Sequence, residues 1–156
     1  MPAKKRVSKK SAPPPPPPVV LHASTLEEFG TTVERHEGPC LVAVVTSFCN
    51  YCAATVLPYL ENLNSTRTPA MSKLNIVVIE ASTQSSELCK SLGVKAIPTF
   101  FCYSYGKQVL SFQGDNVNKA LLLAKIAIQR AEEDKIALDA AAAAAAAAAA
   151  NGDTVS

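Results

Sequence analysis

Apolar residues in this chain come in short runs broken by polar, Gly or Pro segments, and the spacing changes from run to run. Val19-Val20-Leu21 predicts a short strand. Ser24-Thr25-Leu26-Glu27 has the form of a capping box, with Ser24 accepting from the third helical N–H and Glu27 reaching back. The helix it opens is predicted to run to about Glu37, with Leu26, Phe29 and Val33 on one face, and Gly38-Pro39 ends it. Leu41 to Val45 is a continuous apolar run, which suits a central strand buried on both faces. A helix starting near Asn50 carries Val56, Leu57, Leu60 and Leu63, with Pro58 inside it as an expected kink. Asn64 to Ser72 reads as a polar loop.

Leu74 to Ile79 predicts a second buried strand, and Glu87 to Leu92 a short helix closed by Gly93. Thr99 to Tyr103 and Gln108 to Phe112 flank Tyr105-Gly106-Lys107 and predict a hairpin ended by Gly114. From about Asn118 the pattern is helical, with Leu121, Leu122, Ala124, Lys125, Ile126 and Ile128 marking its apolar side. No stop signal precedes Asn151-Gly152, so the helix would be about 50 Å long. Only its first four turns or so can pack on a domain. The eleven alanines from Ala140 to Ala150 favour helix but bury little, so a fraying projection is expected. The order β-α-β-α-β-α-β-β-α implies an α/β domain, a mixed central sheet with helices on both faces.

The chemistry concentrates where the central strand ends. Phe48-Cys49-Asn50-Tyr51-Cys52 follows the apolar run directly, and a Cys-x-x-Cys pair in that position is a redox or metal signature. Cys49, at the positive end of a helix dipole, would have its thiolate favoured by that field and by nearby N–H groups. It would attack a disulfide, and Cys52, one turn further in, would displace the product. Zinc is the competing reading, but Cys40, Cys89 and Cys102 are scattered and His22 and His36 lack ligand spacing. A pair of structural core thiols is the third. Cys102 reads as a core residue, Cys89 as exposed on its short helix, and Cys40 as lying at the lip of the central strand.

With Gly93-Val94-Lys95-Ala96-Ile97-Pro98-Thr99-Phe100, the Tyr105-Gly106-Lys107 turn and Gly114, the cysteine segment resembles the active-site layout of the thioredoxin family, over about Val19 to Arg130. The resemblance implies the thioredoxin fold and thiol–disulfide exchange on protein disulfides, with Cys49 as nucleophile and Cys52 as resolving thiol. It implies that Pro98 is cis, and that Phe48, Asn50, Tyr51, Ile97 and Pro98 face the substrate. No organic or metal cofactor is implied; the electrons would come from an external dithiol or reductase.

Four features depart from the family pattern. Phe48 stands for Trp, Asn50-Tyr51 for Gly-Pro, and Ala43 for the buried acid that shuttles a proton for the resolving cysteine. Pro58 lies six rather than five residues after the second cysteine, so a shifted or bulged helix register is expected. Without the acid, Cys52 lacks an obvious base and the pair should turn over slowly; Glu80 is a candidate substitute. Tyr51 is bulkier than proline and would narrow substrate choice.

Charge adds a second theme. The chain of 156 residues has net charge +2, but Lys4, Lys5, Arg6, Lys9 and Lys10 precede six prolines at Pro13 to Pro18, and without those five the net is −3. Residues 1–18 are expected to form a disordered basic arm with a polyproline II segment, 19–130 the folded domain, and 131–156 a helical extension and disordered terminus. The arm resembles a nuclear-localisation signal and suits an acidic partner. No secretory leader or membrane span is expected, and the folded body lacks the basic and aromatic interleaving of a nucleic-acid surface. The expected compartment is the cytosol, with nucleus and cilium as alternatives. The rival to an enzyme is a non-catalytic thioredoxin-fold subunit or adaptor of a larger assembly, such as an axonemal dynein light chain.

Overall fold

The computed structural model describes residues 19–155, with side chains placed through Ala149. The expected basic, proline-rich arm lies outside them. Five strands form one sheet: β1 (Leu21–His22), β2 (Pro39–Val45), β3 (Asn75–Glu80), β4 (Thr99–Ser104) and β5 (Lys107–Gln113). Their spatial order is β1-β3-β2-β4-β5. β1, β3 and β2 run parallel, whereas β4 and β5 are antiparallel to their neighbours. The helices are α1 (Leu26–Phe29, continued by a π turn at Gly30–Glu34), α2 (a π turn at Cys52–Val56 leading into Leu57–Ser65), α3 (Ser86–Leu92) and α4 (Asn118–Val155).

Because successive strand side chains point to opposite faces, β2 feeds two cores at once. Leu41, Ala43 and Val45 pack with Ile76, Val78, Phe100 and the apolar sides of α2 and α4. Cys40, Val42 and Val44 pack with Val77, Ile79, Phe101 and Tyr103 beneath Phe29, Val33 and Leu88. Every residue of β2 is buried, as its unbroken apolar run predicts.

Several local expectations shift. The capping box is one residue later: Glu28 N–H donates to Thr25 Oγ1 at 3.1 Å, and Glu28 Oε1 accepts from the Thr25 N–H at 3.3 Å and the Ser24 N–H at 2.7 Å. Both S/T-x-x-E matches were available. Ala23 N–H pairs with the Val78 carbonyl beside β1, and Thr25 rather than Ser24 takes the N-cap, in extended backbone at φ −115° and ψ 163°. Leu26 is consequently exposed, while Phe29 and Val33 hold the buried face. The helix closes at Glu34, short of Glu37.

In α4 the buried positions are Ala120, Leu123, Ala124, Ala127 and Ala131, and Leu122 is exposed. The small residues let the helix lie close against β2 and β4, so the seam is an alanine stripe that a search for large apolar residues misplaces. Ser104 Oγ donates to Asp134 Oδ2 at 2.6 Å and anchors the end of the packed portion. Every residue from 135 to 149 is exposed.

Candidate active site

β2 ends at Val45, whose carbonyl accepts the Ala81 N–H at 2.7 Å. The chain then turns, with Cys49 N–H donating to the Thr46 carbonyl at 3.1 Å. Phe48 at the tip of that turn is 93% exposed. Helical structure begins at Asn50, so Cys49 immediately precedes its first turn, where unpaired N–H groups favour negative charge.

Cys49 and Cys52 are joined as a disulfide, with Cα atoms 5.2 Å apart. The two sulfurs are not equivalent. Cys49 is half-buried, whereas Cys52 is 1% exposed and belongs to the core of Ala43, Val45, Val56, Leu60 and Phe100. The Cys52 N–H donates to Cys49 Sγ at 3.1 Å. The outer sulfur therefore already has the donor that would stabilise it as a thiolate. Asn50 is exposed and Tyr51 half-buried.

β4 starts at the same end of the sheet, with Thr99 paired to Val44. The bond before it, Ile97–Pro98, is cis. Pro98 is buried, Ile97 is half-buried, and the Pro98 carbonyl accepts the Gly114 N–H at 3.1 Å. The topology thus gathers both sequence segments at the C-terminal end of β2, although 45 residues separate Ile97 from Cys52.

The extra residue before Pro58 is taken up as a π turn, in which Leu57 N–H bonds the Cys52 carbonyl five residues back. Widening the helix just before a proline relieves the clash of its ring with the carbonyl four residues earlier. Pro58 therefore sits at the start of regular α-helix, and the expected change of register is local.

This fold and cysteine placement agree with the comparisons. A family model described as Thioredoxin matches residues 20–127. The chain belongs to the thioredoxin family. No curated protein sequence matches it well enough to count as a relative. Among solved structures, thioredoxin Mala s 13 of Malassezia sympodialis is 18% identical at TM-score 0.60, covering 75% of this chain and 97% of its own. Thioredoxin f2 of Chlamydomonas reinhardtii is 23% identical at TM-score 0.59, covering 67% and 93%. Fasciola hepatica thioredoxin is 20% identical at TM-score 0.60, covering 69% and 99%. Thioredoxin-family membership together with the Cys-x-x-Cys pair supports a thiol–disulfide oxidoreductase at family level.

The family's buried acid has no counterpart here. Ala43 is fully buried, paired with Val78 on one side and Phe100 on the other, and no Asp or Glu is buried among the described residues. Glu80 ends β3 with its side chain exposed. Of the remaining thiols, Cys102 is buried in the core as its sequence reading has it, while Cys40 and Cys89 depart from theirs. Cys40 is fully buried rather than at a lip, and burial pushes its thiol up to about 12. Burial likewise raises Cys102 to about 11, against smaller opposing effects from a Leu110 backbone hydrogen bond and Arg130. Cys89 is half-buried, 3.8 Å from Ser85 Oγ. Among the described residues no group of three or more His, Cys, Asp or Glu side chains could hold a metal ion, and no helix is long and apolar enough to cross a membrane.

One contact went unread in the sequence: the Val117 N–H, at the threshold of α4, donates to the Tyr51 hydroxyl at 2.9 Å. The only available signal was a hydroxyl-bearing ring where the family pattern has proline.

Proposed function

We propose that this thioredoxin-family chain reduces protein disulfides through Cys49 and Cys52. The observation that carries the reading is the asymmetry of the pair: an accessible outer sulfur that accepts the Cys52 N–H, and an inner sulfur sealed in the core. In the reduced protein the Cys49 thiolate attacks one sulfur of the substrate disulfide. A Cys49–substrate disulfide forms, and the other substrate sulfur leaves as a thiolate. Cys52 then loses its proton and attacks Cys49 Sγ, releasing the second substrate sulfur. Two electrons pass to the substrate, and an external dithiol or reductase restores the pair. Phe48, Asn50, Tyr51, Ile97 and Pro98 form the face on which substrate docks, with Phe48 as the most prominent apolar contact.

The second step is the slow one. The Cys52 thiol must ionise against an apolar wall that includes Ala43, with no buried carboxylate to take its proton. Insulin reduction is therefore expected to proceed below the rate of a thioredoxin that has the acid. Cys52→Ser should trap substrate as a mixed disulfide visible on a non-reducing gel, and Cys49→Ser should trap none. Equal trapping by both variants would remove the assigned roles.

A second reading is favoured by the stretch of α4 from 135 to 149, every residue of which is exposed. In that reading the domain is a subunit or adaptor of a larger assembly and the helix is its attachment. Cys49→Ser would then leave assembly intact. The basic arm would add an acidic partner in either case.

A further inference from the structure

The Cys52 N–H cannot be aimed independently of Tyr51. The Tyr51 carbonyl and the Cys52 N–H belong to one planar peptide unit, so rotation about the Tyr51 backbone swings that N–H toward or away from Cys49 Sγ. In most of the family a proline occupies this position and fixes one of the two rotations. Tyr51 has no such lock, yet sits at φ −62° and ψ −39° with the Cys52 N–H 3.1 Å from the sulfur. Its side chain supplies a different constraint. The ring is half-buried against the core, and its hydroxyl accepts the Val117 N–H at 2.9 Å, across 66 residues of sequence. Val117 is itself buried and leads into α4, which packs on β2 and β4. Asn118 N–H is met by Asn116 Oδ1, so Tyr51 supplies one acceptor in the cap of α4 and the loop supplies the other.

We propose that Tyr51 is a positioning residue: tied at its hydroxyl to Val117, it holds the turn between the cysteines so that the Cys52 N–H stays aimed at the Cys49 sulfur. This rests on the reading of Cys49 as the reacting thiolate. Tyr51 need not touch substrate to act in this way. It replaces a constraint built into the backbone by one anchored in a second element.

The test uses Tyr51→Phe, which keeps the ring and removes the acceptor, and Val117→Pro, which removes the donor at a site next to a helix start where proline is tolerated. The Cys49 acid dissociation constant is read in the reduced full-length protein from thiolate absorbance. The midpoint of the pair against glutathione is read above the Cys49 pKa. Loss of one net hydrogen bond's worth of orientation should lower the dissociation constant by about fivefold. The same factor in the redox equilibrium moves the midpoint about 20 mV more negative. The double variant should shift no further than either single one, because both delete the same bond. A fall in melting temperature with the Cys49 constant and midpoint unchanged would assign Tyr51 a merely structural role and overturn the proposal. Additive shifts in the double variant would also overturn it. A wild-type protein with no reversible midpoint would instead remove the redox reading on which the proposal stands.

Discussion

The buried thiols show how far an environment separates residues of one type. Five cysteines share the described fold, but only Cys49 combines partial exposure with a backbone donor at its sulfur. Cys40 lies beneath α1, its Sγ 3.6 Å from the Thr32 carbonyl, and Cys102 lies under α4; burial holds both thiols neutral. Since their pKa values are raised on folding, the unfolded chain loses these protons at lower pH than the folded one. Their contribution to stability is thus complete below the unfolded thiol pKa near 9 and is lost as pH rises toward 11 to 12. Urea melts of the reduced protein should show stability declining across that window, less steeply in Cys40→Ala measured against its own neutral-pH value. In native reduced protein at pH 8, iodoacetamide should reach Cys49 well before Cys40 or Cys102. Equal labelling would contradict the burial. The sequence marked Cys49 and Cys52 by their spacing and their place after an apolar run, but the depth of Cys40 depended on α1 packing over β2, a long-range event that no local pattern records.

At the scale of elements, the β4–β5 hairpin illustrates what turn chemistry does and does not disclose. Tyr105 and Gly106 take positive φ values of 50° and 80°, the pattern of a tight two-residue hairpin turn. The Tyr-Gly pair announced a turn in the sequence. It did not announce that the turn tip lies against the end of α1, where a β-carbon on Gly106 would run into the Glu34 carbonyl oxygen. Gly106→Ala should therefore cost more than the roughly 1 kcal/mol of an unfavourable φ alone. Denaturant melts would measure it, and a loss within a few tenths of a kcal/mol would show that the hairpin and α1 can move apart freely. The same limit explains the other shifts. The two overlapping capping boxes are indistinguishable in the sequence, and the alanine seam of α4 carries almost no hydropathy contrast. By contrast β2, β3 and α3, with strong runs and a left-handed Gly93 at φ 71°, stand close to where their patterns placed them.

For the whole molecule, the division that matters falls along α4. Up to Asp134 the helix is part of the sheet's cover; beyond it the side chains from 135 to 149 face solvent, apart from an exposed ion pair of Lys135 with Asp139 at 2.9 Å. Such a pair contributes little. A chain ending at Asp139 is expected to match the full-length protein in melting temperature and in the midpoint of its cysteine pair. A drop of more than a few degrees would mean that the alanine-rich segment stabilises the domain. The fold was readable because each strand and helix agreed with the global order, while the site was readable because two short motifs fell at one end of β2. The Tyr51–Val117 tie was not, since it joins residues whose proximity exists only after folding.

The most direct test of the account is a redox titration of the full-length chain against glutathione, with alkylation and intact mass at each point. One reversible two-electron transition, confined to Cys49 and Cys52 and abolished in Cys52→Ser, is the expected result. A pair that stays wholly reduced or wholly oxidised across the physiological range would contradict a working dithiol, and would leave a thioredoxin-family binding module in its place.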